Sequence, residues 1–600
     1  MTFRSLTAFG QSTVQSRYLL KGETFDDLIV RVATAYADNE DHKNRIISYM
    51  KQFWFMPATP VLSNGGAKRG MPISCFLSEC DDSMKGITDL WKENAWLAKV
   101  GGGVSNFWGN VRSMGEKVGI SGSSSGLIPF LKVVDSLTLA ISQGSLRRGS
   151  MSVYLQVEHP EIEEFLEIRK PTGGDTNRKC LNLHNAVCIS DKFMHAVEKN
   201  LPWNLISPKD GHVVSTISAR DLWTKIITMR LETGEPYIFF TDTINNALPE
   251  VQKRLGLSCK TSNLCSEITL PTGKDHLGNE RTAVCCLSSL NLEYYEEWRH
   301  NPIIIEDVIR FLDNVLQDFI DNAPDDAARA KYAAQRERSI GLGVMGFHSY
   351  LQSKMVAFES VAAKSMNIEM FKNIKIKADA ASVKLAEEKG ACPDAKELGI
   401  MERCSNKIAI APTASISIIT GESSPGIEPY TANVYVQKSL AGSFVVVNKN
   451  LQRLLEEKGM FNDDVLSEIA TNEGSVQHLD FLSDFEKKVF KTAQEINQFY
   501  LIEHAADRTP YICQSQSLNL FLPASVDKKT LHQLHYLSWK KGVKTLYYCR
   551  SMSVFRADKI THKYNTVDIF AEENDADNEQ AAKEVSISNS NKYEECLSCQ

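Results

Sequence analysis

Six hundred residues form this chain, of which 43% are hydrophobic and 24% are charged. These shares are ordinary for globular proteins and exclude a collagenous or wholly disordered chain. The formal net charge of −7 disfavours a surface for duplex nucleic acid, because binding to phosphates needs clustered positive charge. The sequence has no apolar run of about 18 residues and no apolar signal core near its start, so we expect a cytoplasmic protein without nucleic-acid or membrane partners.

The sequence pattern predicts helices near the start of the chain, followed by strands that alternate with helices. Residues 24–36 carry apolar side chains at helical spacing and predict a helix. Clusters of glycine and serine then separate short periodic segments, a pattern typical of a sheet whose loops carry function. Residues 151–155 and 407–411 are typical of strands that alternate with helical stretches. We therefore predict an α/β architecture.

One long helix is predicted near the middle of the chain. Asn301 and Pro302 predict its cap and its first turn. Apolar residues from Ile305 to Phe319 then recur at i, i+3 and i+4, so one face of this helix is expected to be buried.

The last thirty residues differ from the rest. Residues 571–600 are acidic and polar, so they bury too little surface to offset the entropy of ordering, and we expect a mobile tail. A C-x-x-C motif, Cys596 and Cys599, lies at its tip. Fourteen cysteines in a chain without a signal peptide are better explained as thiols than as structural disulfides. Zinc needs three or four converging ligands, so we expect no metal here.

The most reactive-looking segment lies at residues 263–267. In an extended segment alternate side chains share a face, so Asn263, Cys265 and Glu267 are expected to point the same way. A row of amide, thiol and carboxylate would make a poor core. The alternative is a buried structural cysteine between two polar residues.

Three further groups are ambiguous when each is taken alone. Cys75 and Cys285 either react or fill the core, as buried cysteines often do. The hydroxyl-rich residues 411–417 follow a predicted strand, and they favour either phosphate binding at a helix start or a plain turn. Tyr547 and Tyr548 lie in a β-prone run, where adjacent tyrosines are usually ordinary strand residues.

Taken together, these motifs resemble the large subunit of class I ribonucleotide reductase. The resemblance covers most of the chain, from about Met56 to the end, and the motifs follow the family's order. The matching blocks are residues 56–64, 74–75, 101–103, 143–149, 263–267, 285, 412–415, 426–430, 514–519, 547–548 and 596–599.

The resemblance implies a ten-stranded α/β barrel with a central finger loop that carries the reactive cysteine. It divides the chain into a short helical region at 1–55, a catalytic barrel at 56–570 and a flexible redox-shuttle tail at 571–600. Many relatives carry an ATP-cone of roughly ninety residues at their start. The segment before Met56 is too short for a cone and a helical region, so we expect no overall activity site.

The resemblance also implies roles for individual residues. Cys265 would become the thiyl radical, Glu267 would act as general base on the 3′ hydroxyl, and Asn263 would hold the substrate oxygens. Two electrons would come from a cysteine pair, and a tyrosine pair would relay the radical. These and the tail thiols are Cys75, Cys285, Tyr547, Tyr548, Cys596 and Cys599; Cys286 lies beside the family position and is given no role.

Nucleotide contacts are implied in the same way. Substrate phosphate would contact Thr59, Ser74, Gly103, Thr413, Ala414, Ser415, Ile416 and Ser417. A (deoxy)nucleoside triphosphate effector at the dimer interface would contact Asp82, Ser83, Lys99, Arg112, Gln143, Arg147 and Arg148. The segment 115–119 departs from the family pattern, being one residue shorter, so triphosphate contacts there are not assigned.

The expected function is that of a ribonucleoside-diphosphate reductase acting as a homodimer. A separate small subunit with a metal or radical cofactor would supply the radical, no cofactor would bind tightly in this chain, and thioredoxin or glutaredoxin would reduce the tail. Two alternatives stay open. One is a catalytically inactive homologue that acts as an interaction protein, and the other is an adenosylcobalamin-dependent reductase, which does not need Tyr547 and Tyr548.

Overall fold

The computed structural model describes residues 4–67, 69–73, 75–120, 122–143, 147–439, 442–523 and 525–551. Its helices are α1 (Ala8–Arg17), α2 (Phe25–Tyr36), α3 (Glu40–Lys51), α4 (Thr59–Asn64), α5 (Met84–Lys99), α6 (Ile128–Ala140), α7 (Ile162–Leu166), α8 (Asp191–Lys199), α9 (Ala219–Thr233), α10 (Thr241–Asn246), α11 (Glu250–Arg254), α12 (Tyr295–Trp298), α13 (Ile304–Asn322), α14 (Ala328–Glu337), α15 (Phe347–Ser353), α16 (Val361–Lys389), α17 (Pro393–Glu397), α18 (Ala414–Ile419), α19 (Lys449–Glu457), α20 (Asp463–Thr471), α21 (Asp484–Val489), α22 (Gln498–Arg508) and α23 (Lys528–Lys540).

Short strands lie between these helices. They are β1 (Phe55–Pro57), β2 (Cys75–Glu79), β3 (Gly103–Phe107), β4 (Lys117–Val118), β5 (Gly122–Ser123), β6 (Ser142–Gln143), β7 (Arg147–Arg148), β8 (Met151–Gln156), β9 (Leu183–Ile189), β10 (Pro202–Ile206), β11 (Val213–Ser218), β12 (Tyr237–Phe240), β13 (Gly273–Lys274), β14 (Glu280–Arg281), β15 (Ala283–Cys285), β16 (Leu287–Asn291), β17 (Gly341–Met345), β18 (Val434–Ser439), β19 (Gly442–Val447), β20 (Leu520–Leu522), β21 (Thr545–Leu546) and β22 (Cys549–Ser551).

The amino-terminal region is helical, as predicted. Thr24 begins α2 with a capping box in which its hydroxyl accepts from the Asp27 N–H and the Asp27 carboxylate accepts from the Thr24 N–H. The apolar face of α2 is buried, and Tyr36 packs edge-on against Phe311 of α13 at 5.5 Å between ring centroids. These contacts fix the helical region against the rest of the molecule.

The main sheet has seven strands in the order β15-β2-β3-β8-β9-β12-β21. Its five inner strands run parallel, and both edge strands are antiparallel. Parallel strands need helical crossovers, which is why helices alternate with strands along this part of the chain. The predicted strand at 151–155 is confirmed as β8.

A second set of strands begins at β16, directly after the edge strand β15. In it β1 pairs antiparallel and β17 pairs parallel with β16. Parallel bridges from Leu342 to Ile408 and from Ile410 to Gln516 extend it. The segment 407–411, predicted as a strand, therefore contributes two single bridges between its neighbours. The α/β architecture is confirmed.

The long central helix is confirmed, but its predicted start is wrong. Helix α13 begins at Ile304, and its capping position is Ile303, which lacks a side-chain cap. Asn301 instead accepts from the Ile303 N–H at 3.1 Å, a local turn that short polar side chains favour. This turn delays the helix by two residues beyond the predicted proline position, while the apolar face from Ile305 to Phe319 is buried as expected.

None of the helices in the described parts of the chain is both long and apolar enough to cross a membrane.

Candidate active site

The segment that carries Cys265 forms a tight turn, so the expectation of an extended row is wrong. The Ser266 N–H donates to the Asn263 carbonyl at 3.1 Å, and Ser266 has a left-handed φ of 67°. A non-glycine residue in that region is uncommon and needs support from its surroundings. The turn folds the segment back on itself and brings Asn263 and Glu267 to one side.

Asn263 and Glu267 form a direct contact inside the protein. The Asn263 Nδ2 donates to Glu267 Oε1 at 2.9 Å, and both side chains are 0% exposed. The Asn263 Oδ1 is fixed in turn by the Ile268 N–H at 3.1 Å. The sequence pattern predicted that the amide and the carboxylate would share one face of an extended segment. In the structure the two groups are adjacent because the segment turns.

Ser517 fixes the carboxylate from the opposite side of the site. Its hydroxyl lies 3.0 Å from Glu267 Oε2 and also contacts the Cys265 carbonyl. The neighbouring Ser515 N–H donates to the Glu267 carbonyl at 2.9 Å. Residues 515–517 therefore anchor the turn at two successive points. A buried carboxylate that accepts from both Asn263 and Ser517 is held in one position.

Cys265 is fully buried and lies against a tyrosine hydroxyl. Its Sγ is 3.6 Å from the Tyr547 hydroxyl oxygen. It belongs to an interior cluster of buried side chains that also contains Cys75, Cys285 and Tyr548. The thiol thus lies in a largely apolar interior cluster that also holds side chains capable of hydrogen bonding or redox chemistry.

Cys75 and Cys285 are brought together by the sheet. They lie directly opposite each other on the antiparallel strands β2 and β15, and Gly103 is the partner of Cys75 on its other side, on β3. The Cα atoms of such opposed residues lie about 4.5–5.5 Å apart, which is within the range that a disulfide spans. The Asn263 Nδ2 lies 3.4 Å from the Cys75 Sγ, so this pair adjoins the turn.

Cys286 faces the other way. Successive side chains of a strand alternate between faces, and Cys286 packs in the larger outer core, with its Sγ 3.5 Å from the Leu312 carbonyl of α13.

Three tyrosines form an aromatic group next to Cys265. The rings of Tyr547 and Tyr548 lie 4.3 Å apart, between β21 and β22 rather than within a strand. Tyr237 packs against both, at 4.9 and 5.1 Å, and burial raises its pKa well above the usual value. The Tyr548 hydroxyl lies 3.3 Å from His184 Nδ1, and His184 is 15% exposed. The group therefore leads from the buried thiol toward the surface.

A buried carboxylate supports the outer end of this group. Glu235 Oε1 lies 2.6 Å from His184 Nδ1, and Arg169 lies 3.4 Å from the same carboxylate. Burial raises the pKa of Glu235, but the charges of Arg169 and His184, with hydrogen bonds from His184 and from the Asn185 N–H, outweigh burial, so the pKa lies below its usual value.

The hydroxyl-rich segment forms the start of a helix, as the phosphate-binding interpretation predicted. Thr413 caps α18 in the left-handed region, with a φ of 58°. Its Oγ1 accepts from the Gly426 N–H at 2.7 Å. A Cβ at Gly426 would lie 2.9 Å from the Ala411 carbonyl, so only glycine closes this loop without displacement. The predicted contact residues here are Thr413, Ala414, Ser415, Ile416 and Ser417.

The predicted effector residues are only partly brought together. Arg112 pairs with Asp82 at 2.8 Å, and this hydrogen bond raises the pKa of Arg112. Ser83 caps α5 beside them by accepting from the Gly86 N–H. Lys99 lies at the opposite end of the 16-residue helix, about 24 Å away, with its Nζ 4.9 Å from the Trp96 ring centre.

Several predicted residues are described only in part. The backbones of Gln143 and Arg147 pair on the antiparallel strands β6 and β7, beside the pair of Ser142 and Arg148. Three predicted site residues lie outside the described part of the chain: Ser74, Cys596 and Cys599.

Models of known protein families match nearly all of the described residues. Residues 4–70 match the family model described as the all-alpha domain of ribonucleotide reductase, and residues 73–400 and 397–549 match the model of its barrel domain. The chain belongs to the ribonucleotide reductase family. The expected barrel with a helical amino-terminal region is thereby confirmed.

Individual ribonucleotide reductases are similar over most of their length. The ribonucleoside-diphosphate reductase large subunit of Invertebrate iridescent virus 3 is 43% identical over 589 residues, covering 89% of this chain and 91% of the relative. The large subunit of Caenorhabditis elegans is 32% identical over 660 residues, covering 99% and 81%. The solved class Id ribonucleotide reductase alpha subunit of Actinobacillus ureae aligns with a TM-score of 0.81 at 34% identity, covering 91% and 97%.

Within this ribonucleotide reductase the sequence patterns missed some residues of the site. Ser517 lies in the matching block 514–519, but nothing in the local pattern indicates that it contacts Glu267. Tyr154, which donates to the Asn263 carbonyl at 3.1 Å, reads as an ordinary strand residue of β8. Tyr237 has the pattern of an ordinary strand residue of β12, and only the tertiary packing places it beside the tyrosine pair.

Proposed function

We propose that this chain is the catalytic subunit of a ribonucleoside-diphosphate reductase and converts ribonucleoside diphosphates to 2′-deoxyribonucleoside diphosphates. The observation that carries the proposal is the buried thiol of Cys265. It lies 3.6 Å from a tyrosine hydroxyl and next to a turn that joins an amide to a carboxylate. A thiol in that setting is shielded from solvent, so a substrate must enter an enclosed site to contact it.

The reaction begins with a thiyl radical on Cys265, which removes the hydrogen atom from C3′ of the ribose. Glu267 accepts the proton of the 3′ hydroxyl, and Asn263 donates to the resulting keto oxygen. The 2′ hydroxyl takes up a proton from the Cys75 and Cys285 thiol pair and leaves as water. Cys265 finally returns a hydrogen atom to C3′ and Glu267 returns its proton to the 3′ oxygen, so the radical is regenerated on sulfur and the base is restored. Proton transfers by positioned groups of this kind contribute about 10²–10⁴-fold to rate.

Cys75 and Cys285 supply the two electrons of the reduction. Their thiols lose two electrons and two protons and join in a disulfide, while C2′ exchanges its hydroxyl for hydrogen. Support for this role comes from the directly opposed strand positions of the two residues. Cys286 takes no part, because it faces α13.

The pair is reduced again by exchange with the tail cysteines, Cys596 and Cys599. Attack of a tail thiolate forms a mixed disulfide, and the second tail thiol releases the reduced pair. Thioredoxin or glutaredoxin then reduces the tail disulfide outside the barrel. The tether raises the local thiol concentration to about the millimolar range.

The radical enters through Tyr548 and Tyr547 from a separate small subunit that carries the metal or radical cofactor. Phenols suit such hops because oxidation is coupled to release of the phenolic proton. The 4.3 Å separation of the two rings and the contact of Tyr547 with Cys265 support a continuous path.

Specificity is regulated by a (deoxy)nucleoside triphosphate at the interface of a homodimer. The Asp82–Arg112 pair and the Ser83 cap at one end of α5 support an effector contact there. The paired strands β6 and β7 would carry the identity of the effector toward the site.

A reduction assay tests the proposal. Purified chain, the small subunit from the same genome, dithiothreitol and an effector are expected to convert CDP to dCDP. Cys265→Ala is expected to make no product, whereas Cys286→Ala, a matched buried cysteine on the opposite face, retains activity. Product formation by Cys265→Ala would reject the radical site. Turnover with adenosylcobalamin and no small subunit would favour the adenosylcobalamin-dependent alternative, and no turnover under any condition would favour an inactive homologue.

A further inference from the structure

Two consecutive residues of the amino-terminal helical region contact the proposed substrate-phosphate residues. Arg17, the last residue of α1, donates from Nη1 to the Ser415 Oγ at 2.8 Å. The hydroxyls of Tyr18 and Thr59 are hydrogen-bonded at 3.1 Å. Ser415 and Thr59 belong to separate segments of the proposed phosphate-binding set, so the end of α1 lies where these segments meet.

The position of Arg17 is fixed by the packing around it. Tyr18 is 0% exposed, and Arg69 donates to its carbonyl at 3.0 Å. On α1, a Cβ at Gly10 would lie only 3.4 Å from the Ile418 carbonyl of α18, so the two helices approach closely. This close packing fixes the backbone position from which the Arg17 side chain extends. The side chain itself is exposed.

Arg17 would supply the positive charge that the other proposed phosphate contacts lack. A nucleoside diphosphate is a polyanion, yet the proposed phosphate contacts are hydroxyls and main-chain groups without a single cation. Arg17 has no carboxylate within ion-pair distance among the described residues. Three other cations of this region have partners of their own: Arg69 donates to the Ser63 and Tyr18 carbonyls at 2.8 and 3.0 Å, Arg31 pairs with Glu23 at 2.7 Å, and Lys449 pairs with Glu293 at 2.7 Å.

We propose that Arg17 binds the phosphates of the ribonucleoside diphosphate substrate. This inference rests on the proposed function. The guanidinium is permanently charged and offers several donors in a planar fork, which suits phosphate oxygens. Its present contact with Ser415 holds it beside the loop, and on substrate binding the remaining N–H groups contact phosphate. The helical region thereby contributes a substrate contact to the barrel.

Substitutions that separate charge from hydrogen bonding test this role. Arg17→Ala and Arg17→Gln are both expected to raise the KM and the Kd for CDP about tenfold, the size of a lost charge-assisted hydrogen bond, with kcat changed less than twofold. Arg17→Lys is expected to recover part of the affinity. Lys21→Ala removes an exposed cation four residues further along the chain and is expected to leave KM unchanged.

The measurements distinguish the failure of this inference from the failure of the proposed function. Equilibrium binding of CDP is measured without the small subunit, and thermal unfolding checks that each variant is folded. Unchanged CDP affinity in Arg17→Ala overturns the inference, and so does normal affinity in Arg17→Gln, because a neutral side chain would then suffice. Weakened CDP binding in a chain whose unmodified form never reduces CDP supports the inference but contradicts the proposed function.

Discussion

The interior around Cys265 and the end of α5 each contain a pair of polar side chains, and the two pairs differ in their exposure to solvent. In the interior, Asn263 and Glu267 are 0% exposed, and hydrogen bonds within the turn and from the Ser517 hydroxyl fix their side chains. At the end of α5, Asp82 and Arg112 form an ion pair whose side chains are each 23% exposed. One site is rigid and enclosed, whereas the other remains open to water and ions.

The difference follows from the cost of burial. A buried carboxylate without donors is strongly unfavourable. The Asn263–Glu267 pair is therefore expected to keep its hydrogen bonds whenever the protein is folded. An exposed pair is worth only about 0–1 kcal/mol, so it can exchange partners when a charged ligand arrives. This contrast matches the proposed chemistry in the interior and the proposed regulation at the end of α5, and three substitutions test it.

The largest effect is expected for Tyr547→Phe. Loss of the hydroxyl that lies 3.6 Å from the Cys265 Sγ removes the proton-coupled step of the relay, and CDP reduction is expected to fall by about a thousandfold or more. Binding of CDP is expected to stay unchanged. Tyr36→Phe, a buried tyrosine bonded to Asp318, is the matched control and should retain turnover. Normal turnover by Tyr547→Phe would exclude this tyrosine from the relay.

An intermediate effect is expected for Ser517→Ala. The substitution removes a hydroxyl donor to the Glu267 carboxylate, and a buried acceptor that loses a donor costs about 1–3 kcal/mol. We expect kcat to fall about tenfold, measured at saturating CDP. Ser538→Ala, which removes a buried hydroxyl bonded to the Leu534 carbonyl, is the control. Equal rates for the two variants would mean that Glu267 does not depend on Ser517.

The smallest effect is expected for Arg112→Ala. The exposed pair contributes little to folding, so stability and the basal rate should be nearly unchanged. The ratio of CDP to GDP reduction under different triphosphate effectors is expected to shift a few-fold. Lys85→Ala on the same helix, whose side chain is 86% exposed, is the control. An unchanged substrate ratio would place the effector elsewhere.

Part of the fold was predictable because periodicity reports burial. Helix α2 and strand β8 follow the predicted patterns, and the buried face of α13 runs from Ile305 to Phe319 as expected. The start of α13 was not predictable, since Asn301 favours both a helix cap and a local turn, and here it accepts from the Ile303 N–H in a turn. The extended row at 263–267 was wrong for a similar reason. Ser266 adopts a left-handed φ that its type disfavours, and contacts from residues 515–517 support it.

The sequence alone determined which chemical groups are present and in what order along the chain. Three things were decided only by the tertiary structure: the turn that joins Asn263 to Glu267, the opposed positions of Cys75 and Cys285, and the contact of Arg17 with Ser415, 398 positions away. Local patterns record the periodicity of each element. Contacts between distant segments depend on how the elements pack, because the side chains that meet share no local signal.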